Sequence, residues 1–402
     1  MDLAAIIIVG AHPGEGESAG NSRGPAVNHE VFADIPIALL DLLGKSVAHH
    51  VADRLRRAGV EAVAALTGNG VCEEANRGDS QAQLSCLPAN ELWRAAEEAF
   101  SAYASEGVEN ILLLRLGPYA EFDLDTLLRF HSGRRQNATV IFDQAEGPLD
   151  AAVVQAARRT DATFLIRNGL RATRLPSEPY IMPGYVNRLE NARDLRRLAQ
   201  DALLMRCGIR PQGREIKPGI WVGEHAHIHR TARVLAPAFV GTRAKLRAAS
   251  VVTRGSVVEH HAEVDCGTVL EDTTVLPYTY VGPGLDASHS VAGFGRLVHL
   301  RRAAEVEIAD SRLLGTVSNS AAWRTIKSAA SLAAYLPVQA IRGLAQGGRR
   351  PQPATVAEAD ADIPPPRPRP ATLEPSSEPV SASNQGPQFG GDFAVVRRYG
   401  NE

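Results

Sequence analysis

The sequence has neither an excess of one charge nor the cysteine pattern of a disulfide-stabilised protein. Its 402 residues include 43 basic and 45 acidic side chains, a formal net charge of -2, so no global field attracts nucleic acid or acidic polymers. The four cysteines (Cys72, Cys86, Cys207 and Cys266) have no CxxC spacing, which predicts reduced thiols. We therefore expect no nucleic-acid partner, and any charged site must be local.

The N-terminus lacks the features of a targeting signal. No basic segment precedes the apolar run Leu3–Val9, and the run itself is too short for a signal sequence or a membrane span. These absences predict a cytoplasmic protein. With 44% hydrophobic residues, the chain can still build at least one sizeable core, and its length predicts two domains and a tail.

The first half of the chain alternates between strand and helix patterns. Apolar strands are predicted at 3–9, 60–66, 110–116, 138–142 and 163–167, with helices at 44–59, 89–107, 123–131 and 149–159 between them. This order is typical of a doubly wound, mostly parallel α/β sheet. Ligands bind beyond the carboxyl ends of the strands in such sheets, which places the loop after Val9 in a functional position.

That loop, "GAHPGEGESAG", is rich in glycine but lacks the GxGxxG pattern. Gly10, Gly14 and Gly16 keep its backbone supple, and these residues are the candidates for weak nucleotide binding. The charged residues within it are Glu15 and Glu17, which repel a phosphate. Arg23 is the first basic residue after them.

The second half is a repeat of six residues. Aliphatic side chains recur at Val222, Ile228, Val234, Val240, Leu246, Val252, Val258, Val264, Leu270 and Leu276, and a small residue follows each of the first nine by four positions, from Ala226 to Thr274. Three such hexads form one coil of a β-helix, so ten predict a little over three coils. The open ends of so short a helix require a neighbouring domain or a partner chain.

The period of eighteen predicts which side chains stack on the surface. Three columns follow, each with a histidine beside a cation: His225, Arg243 and His261; His227, Lys245 and Glu263; His229, Arg247 and Asp265. The segment "EHAHIH" suggests a metal site, but Arg or Lys stacked on those histidines favours solvated ladders.

The remaining chain differs in composition. Residues 321–345 are apolar and edged with Arg and Lys, which predicts an amphipathic helix that packs against the β-helix or makes peripheral contact with a membrane. From residue 347 the sequence is rich in Pro, Ser and Glu, which predicts a disordered tail. The predicted organisation is an α/β domain at 1–210, a β-helix at 218–316, a helix at 320–346 and the tail at 347–402.

An α/β domain followed by a hexapeptide β-helix resembles the sugar-nucleotide pyrophosphorylases, such as the mannose-1-phosphate guanylyltransferases. The resemblance covers residues 1–300 and includes "PIALLDLLGKSVAHHVADRLRRAGVEAV" and "FDLDTLLRFHSGRRQNATVIF". It implies a left-handed β-helix, a nucleotide or sugar-nucleotide ligand, magnesium in an active enzyme, and oligomers or protein partners that contact the β-helix.

The catalytic motifs of that family are degenerate in this chain. The glycine-rich loop has no Gly-Thr-Arg, Ile37 and Ala38 stand at the family's Lys-Pro, and Arg115, Leu116 and Gly117 stand at its Asn-Gly-Asp. Phosphoryl transfer depends on such charges. Compensation would require Arg23 or Lys45 to reach a phosphate, and Asp34, Asp41 or Asp123 to bind a metal; we take Asp123 as the metal candidate.

Three functions are compatible with the sequence. The first is a nucleotidyltransferase-like protein of envelope polysaccharide metabolism with lost or weak activity, which works by binding or assembly. The second is an active pyrophosphorylase that joins an NTP to a sugar-1-phosphate through rearranged ligands and Mg²⁺. The third is a hexapeptide acyltransferase with a histidine base, for which the candidates are His225, His227, His260 and His261.

Overall fold

The structure is a computed structural model that describes residues 2–11, 31–32, 35–68, 84–87, 90–145, 147–170 and 178–317. The chain divides into two units, Met1–Ala345 and Gln346–Glu402, and all described residues belong to the first. The predicted helix at 320–346 and the tail at 347–402 lie outside the described residues. So do four of the residues proposed above for ligand or metal binding, namely Gly14, Gly16, Arg23 and Asp34.

The first 210 residues form a mixed α/β structure. Its helices are α1 (Val47–Arg57), α2 (Leu92–Ser105), α3 (Leu124–Gly133), α4 (Arg159–Arg167) and α5 (Ala192–Leu203), with a 3₁₀ helix at Ile37–Leu39. Its strands are β1 (Leu3–Val9), β2 (Val31–Phe32), β3 (Ile35–Pro36), β4 (Asp41–Leu42), β5 (Lys45–Ser46), β6 (Ala62–Thr67), β7 (Leu84–Cys86), β8 (Asn110–Arg115), β9 (Tyr119–Ala120), β10 (Ala138–Phe142), β11 (Pro148–Gln155), β12 (Tyr180–Ile181) and β13 (Val186–Asn187).

A seven-stranded sheet in the order β12-β10-β11-β8-β1-β6-β7 organises this part of the chain. Strand β1 is parallel to both β6 and β8. Its side chains are buried on both faces, so Leu3, Ala5, Ile7 and Val9 enter one core and alternate residues enter the other. The predicted mostly parallel α/β sheet is therefore observed.

Two consecutive elements were predicted in the wrong order: a strand lies where a helix was expected, and a helix lies where a strand was expected. Residues 149–159 were expected to be helical, but Pro148–Gln155 is strand β11, which is antiparallel to β8 and β10. Residues 163–167 were expected to be a strand, but they lie in helix α4. Both faces of β11 are buried, which removes the polar alternation by which a strand is recognised.

Residues 214–317, here named the coiled region, wind repeatedly through three sheets. The strands are β14 (Arg214–Lys217), β15 (Ile220–Val222), β16 (His227–Ile228), β17 (Arg233–Val234), β18 (Ala238–Val240), β19 (Lys245–Leu246), β20 (Val251–Thr253), β21 (Val257–Val258), β22 (Glu263–Val264), β23 (Val269–Glu271), β24 (Thr274–Val275), β25 (Thr279–Val281), β26 (Asp286–Ser288), β27 (Ser290–Gly293), β28 (Arg296–His299), β29 (Ala304–Glu307) and β30 (Leu314–Thr316). Every third strand from β15 to β27 returns to the same sheet.

The register of eighteen residues is confirmed in the first three turns. His227 pairs with Lys245, and Lys245 pairs with Glu263, as the second predicted column requires. The other two columns are supported by backbone hydrogen bonds, such as the amide of Arg243 to the carbonyl of Glu224 and the amide of Arg247 to the carbonyl of Val264.

The last step of the predicted series is wrong. One residue is missing from the hexad after Leu270, so Val258 pairs with Val275 rather than with Leu276. Val275 lies inside the coiled region, whereas Leu276 packs in the core that is shared with the α/β part. The repeat then continues through Val281, Ala287 and Ala292, which gives four full turns instead of a little over three.

The chain itself closes the C-terminal end of the coiled region. Strand β30 turns back to pair antiparallel with β25, and Leu314 is buried among the inward-facing side chains. One core joins the two halves, because Phe239 and Val257 of the coiled region cluster with α1, α5 and one face of β1. None of the helices in the described part of the chain is both long and apolar enough to span a bilayer.

Candidate functional site

The carboxyl end of β1 is the position at which the sequence places a phosphate loop, and Gly10 is its first residue. A Cβ atom at Gly10 would lie 2.5 Å from Cδ2 of Leu92, so a side chain there would force the Leu92 side chain of helix α2 to move. The indole Nε1 of Trp93 donates to the carbonyl of Ala11 at 3.2 Å. Packing against α2 thus accounts for the glycine at position 10.

A buried ion pair lies beside Gly10, between β8 and β11. The Arg115 guanidinium donates to Asp150 Oδ2 through Nε at 2.9 Å, and Nη2 lies 2.8 Å from the same oxygen. Their side chains are 1% and 6% exposed. Nη1 of Arg115 also donates to the Gly10 carbonyl at 3.1 Å, so this arginine fixes the backbone where the loop begins.

Four charged side chains that the structure describes at this edge of the sheet form two ion pairs. Asp143, directly after β10, forms an ion pair with Arg188 and accepts hydrogen bonds from the amides of Ala145 and Gly147 through Oδ1. Together with Arg115 and Asp150, these groups sum to zero charge. The geometry suits the positioning of backbone more than the stabilisation of a phosphate.

Two proposed ligands have other partners in the structure. Lys45 Nζ lies 2.8 Å from Asp53 Oδ2, on helix α1. Asp123 caps helix α3, since Oδ1 accepts from the Asp125 amide at 3.1 Å and Oδ2 accepts from Thr126 Oγ1 at 2.7 Å. The Thr126 hydroxyl is the main cause that lowers the pKa of Asp123. Neither residue is brought to Gly10.

A second group of titratable side chains lies where the coiled region meets the α/β part. Glu259 is fully buried, and its two carboxyl oxygens accept hydrogen bonds from the amides of Leu43 at 2.6 Å and Gly44 at 2.9 Å. Burial, followed by the charge of Asp41, raises the pKa of Glu259 to about 8. The carboxyl group holds the β4–β5 turn against the coiled region.

His260 connects the same two parts beside Glu259. Its Nε2 lies 2.5 Å from Asp41 Oδ2, and its Nδ1 lies 3.1 Å from Nδ1 of His261. The His261 ring stacks on Tyr278, with centroids 4.7 Å apart. Burial and the neighbouring His260 lower the pKa of His261. Because both nitrogens of His260 face neighbouring side chains, this histidine ties Asp41 to the coiled region.

The stability of this junction should depend on pH through Glu259. Between pH 4.5 and about 8, the folded protein holds a proton on Glu259 that the unfolded chain has released, so unfolding releases a proton. The free energy of unfolding therefore falls as the pH rises through this window. Glu259→Gln should remove that fall, and its stability relative to the wild type should increase from pH 5 to pH 8 in urea titrations.

The matched control for this pH dependence is Glu224→Gln, on the exposed surface of the coiled region. Its stability difference from the wild type should be the same at both pH values. His50, whose pKa burial lowers to about 4, gives an opposite slope below pH 6.5, but that slope is common to all three proteins and cancels. A pH-independent difference for Glu259→Gln would contradict the raised pKa.

The histidines of "EHAHIH" do not converge. His225 and His227 are exposed on the first turn, and the described residues contain no group of three or more His, Cys, Asp or Glu side chains arranged to hold a metal ion. Glu263, in the second column, is buried between cations, with Arg247 Nη2 at 2.5 Å and Lys245 Nζ at 3.9 Å. The two cysteines whose side chains are described, Cys207 and Cys266, are both buried.

Asp150 and Glu259 were not predicted as site residues from the sequence. The signal for Glu259 was present, because the column of eighteen reads Gly223, Gly241, Glu259. Added Cβ atoms at the two glycines would meet backbone amides of the next turn, at 2.6 Å from the His260 nitrogen for Gly241. A glutamate that follows two glycines in such a column indicates that its side chain extends away from the coiled region to a specific partner, here the amides of Leu43 and Gly44. Asp150 carries no such local signal, since its partner is 35 residues away.

Comparison of the chain with protein-family models and with curated proteins gave no match. The fold places the chain in the class of mixed α/β proteins with mostly parallel sheets. A function for it must be inferred from the residues of the site.

Proposed function

We propose that this protein is a nucleotidyltransferase-like protein of sugar-nucleotide and envelope-polysaccharide metabolism that works by binding or assembly, with lost or weak transferase activity. The fold that accompanies this proposal is a nucleotidyltransferase-like sheet followed by a left-handed hexapeptide β-helix. The observation that carries it is the buried Arg115–Asp150 pair beside Gly10. The Arg115 cation at this edge of the sheet is neutralised by Asp150.

Phosphoryl transfer relies on cations placed around the reacting phosphate. The positions that resemble the family's catalytic Lys-Pro hold Ile37 and Ala38, which are buried in the 3₁₀ helix at 1% and 4% exposure. Lys45, the nearest lysine along the chain, is paired with Asp53. The described residues at this edge thus supply scaffold without the charges that transfer requires.

Magnesium, which the family resemblance implies, does not fit the residues at the expected position. Arg115 stands where the resemblance expects the Asn of Asn-Gly-Asp, and a guanidinium repels a divalent cation. Both carboxyl oxygens of Asp123 cap α3 instead. A binding role needs no metal, and this agrees with the proposal.

A pyrophosphate-release assay on the full-length protein tests this function. With each NTP, a sugar-1-phosphate and Mg²⁺, we expect either no release above the protein-free rate or release far below that of an ordinary enzyme. Turnover in the ordinary range, about 1–10³ s⁻¹, would overturn the proposal, and its loss in Asp123→Asn would then establish a rearranged metal site. A parallel thermal-shift titration with sugar nucleotides measures binding, for which we expect a rise in melting temperature that does not require Mg²⁺.

A further inference from the structure

A cationic groove runs along the outer face of α5, where this helix meets the coiled region. Its volume is about 810 Å³, within the range of roughly 300–1,000 Å³ that is typical of small-molecule sites. Five arginines line it: Arg193, Arg196, Arg197, Arg206 and Arg301. The carboxylates in the lining are those of Asp201 and Asp272, so the groove has an excess of three positive charges in a chain whose formal net charge is -2.

The floor of the groove is rigid because Arg196 is held from several directions. Its side chain is 2% exposed, and Nε donates to Asp272 Oδ1 at 3.0 Å while Nη2 donates to the Gly255 carbonyl at 2.6 Å. Asp272 also bonds Gln200 and His289. Arg196 and Asp272 neutralise each other, so this pair shapes the floor and the outer arginines supply the excess charge.

Arg197 and Arg206, two of the exposed arginines of the groove, share one carboxylate. Asp201 serves two of them, with Oδ2 at 3.9 Å from Arg197 Nε and Oδ1 at 3.5 Å from Arg206 Nη1, and it also accepts from the Tyr185 hydroxyl at 2.7 Å. One carboxylate therefore faces two guanidiniums that are 75% and 66% exposed.

Arg193 and Arg301 are the other two exposed cations that line the groove. Nη2 of Arg193 donates to the Leu300 carbonyl at 2.5 Å, which brings its guanidinium next to the residue that precedes Arg301. In the described part of the chain, neither of these two arginines forms an ion pair with a carboxylate. Their charges, and the one left over at Asp201, remain available to an anion.

We propose that this groove binds a small molecule that carries two or more phosphate groups, with the size of a nucleoside diphosphate. Guanidinium groups form paired hydrogen bonds with phosphate oxygens, and several of them around one groove suit a multiply charged ligand better than a single carboxylate. The groove is large enough for such a molecule, whereas a nucleic-acid chain would contact only its opening. The groove shares no lining residue with Gly10, Arg115 or Asp150, so this inference goes beyond the proposed function.

Calorimetric titration of the full-length protein tests the groove, with inorganic pyrophosphate and a nucleoside diphosphate as probes. We expect dissociation constants below about 1 mM at low salt, which weaken as ionic strength rises. The double variant Arg193→Gln/Arg301→Gln should weaken both probes at least tenfold. Arg301→Glu alone, which leaves the Arg193–Leu300 hydrogen bond intact, should do the same, and Arg94→Gln on α2 is the matched control without effect.

The probes separate the sources of the phosphate. Equal affinities for pyrophosphate and the nucleoside diphosphate would support the proposal and show that the groove recognises the phosphates alone. A higher affinity for the nucleoside diphosphate would also support the proposal and show that the groove contacts the nucleoside as well. Three results would overturn the proposal: an affinity for inorganic phosphate equal to that for pyrophosphate, no binding of either probe at millimolar concentration, or an unchanged affinity in Arg301→Glu. So would binding of single-stranded nucleic acid in place of pyrophosphate. Turnover in the pyrophosphate-release assay would overturn only the proposed function.

Discussion

Asp150→Asn should lower the free energy of unfolding by about 3–5 kcal/mol, because it removes the carboxylate from a buried ion pair and leaves the Arg115 charge in place. Two nitrogens of the guanidinium lie within 2.9 Å of Asp150 Oδ2, and both side chains are almost completely buried. Asn is the best replacement at this position, since Asp150 has a φ of 48°, a conformation that Asn tolerates better than most residues. Urea unfolding followed by circular dichroism gives the difference.

Two variants control for this interpretation. Asp286→Asn removes an exposed aspartate from the coiled region and should change stability by less than about 0.5 kcal/mol. The double variant Arg115→Met/Asp150→Asn removes the buried charge together with its partner, so it should be less destabilised than Asp150→Asn alone. A double variant that is more destabilised than the single one would show that Arg115 contributes mainly through Gly10.

Arg196→Met should lower the free energy of unfolding by about 1.5–3 kcal/mol, since it removes the charged hydrogen bonds that a buried guanidinium donates from α5 to the coiled region. The lost bonds include those to Asp272, to the Gly255 carbonyl and to Thr274 Oγ1 at 3.3 Å. Methionine preserves the packing of the aliphatic stem, so the loss reports the guanidinium. Thermal unfolding should show a clear fall in the melting temperature.

The neighbouring residue provides a matched control for this experiment. Arg197 lies on the same helix but is 75% exposed, and its nearest carboxylate oxygen is 3.9 Å away. Arg197→Met should therefore change stability by less than about 0.5 kcal/mol. Equal losses in the two variants would mean that the contact between α5 and the coiled region does not depend on the Arg196–Asp272 pair.

The elements of the fold could be predicted wherever burial is periodic. The six-residue repeat locates the inward aliphatic side chains from Val222 to Leu270, because every hexad must present one such group to the interior. It fails at Leu276, where the deletion of one residue moves Val275 inward. Strand β11 and helix α4 were also exchanged, since a strand that is buried on both faces has no polar side to reveal its period.

The candidate site was predictable in position but not in chemistry. Position follows from strand order, and Arg115 was correctly placed at the carboxyl end of β8. Its partner Asp150 comes from an antiparallel strand that was expected to be a helix. The net charge at the carboxyl edge of the sheet therefore depends on the Arg115–Asp150 pair, which local sequence patterns cannot predict.

The sequence by itself determined the local features, namely most of the strand and helix periods and the six-residue repeat. Only the tertiary structure decided the partners of the buried polar groups: Arg115 with Asp150, Glu259 with the amides of Leu43 and Gly44, and Arg196 with Asp272. The physical reason is the range of the forces. Backbone periodicity is set by neighbours along the chain, whereas a buried charge is stabilised by any group that folding brings within hydrogen-bond distance, here as far as 216 residues away.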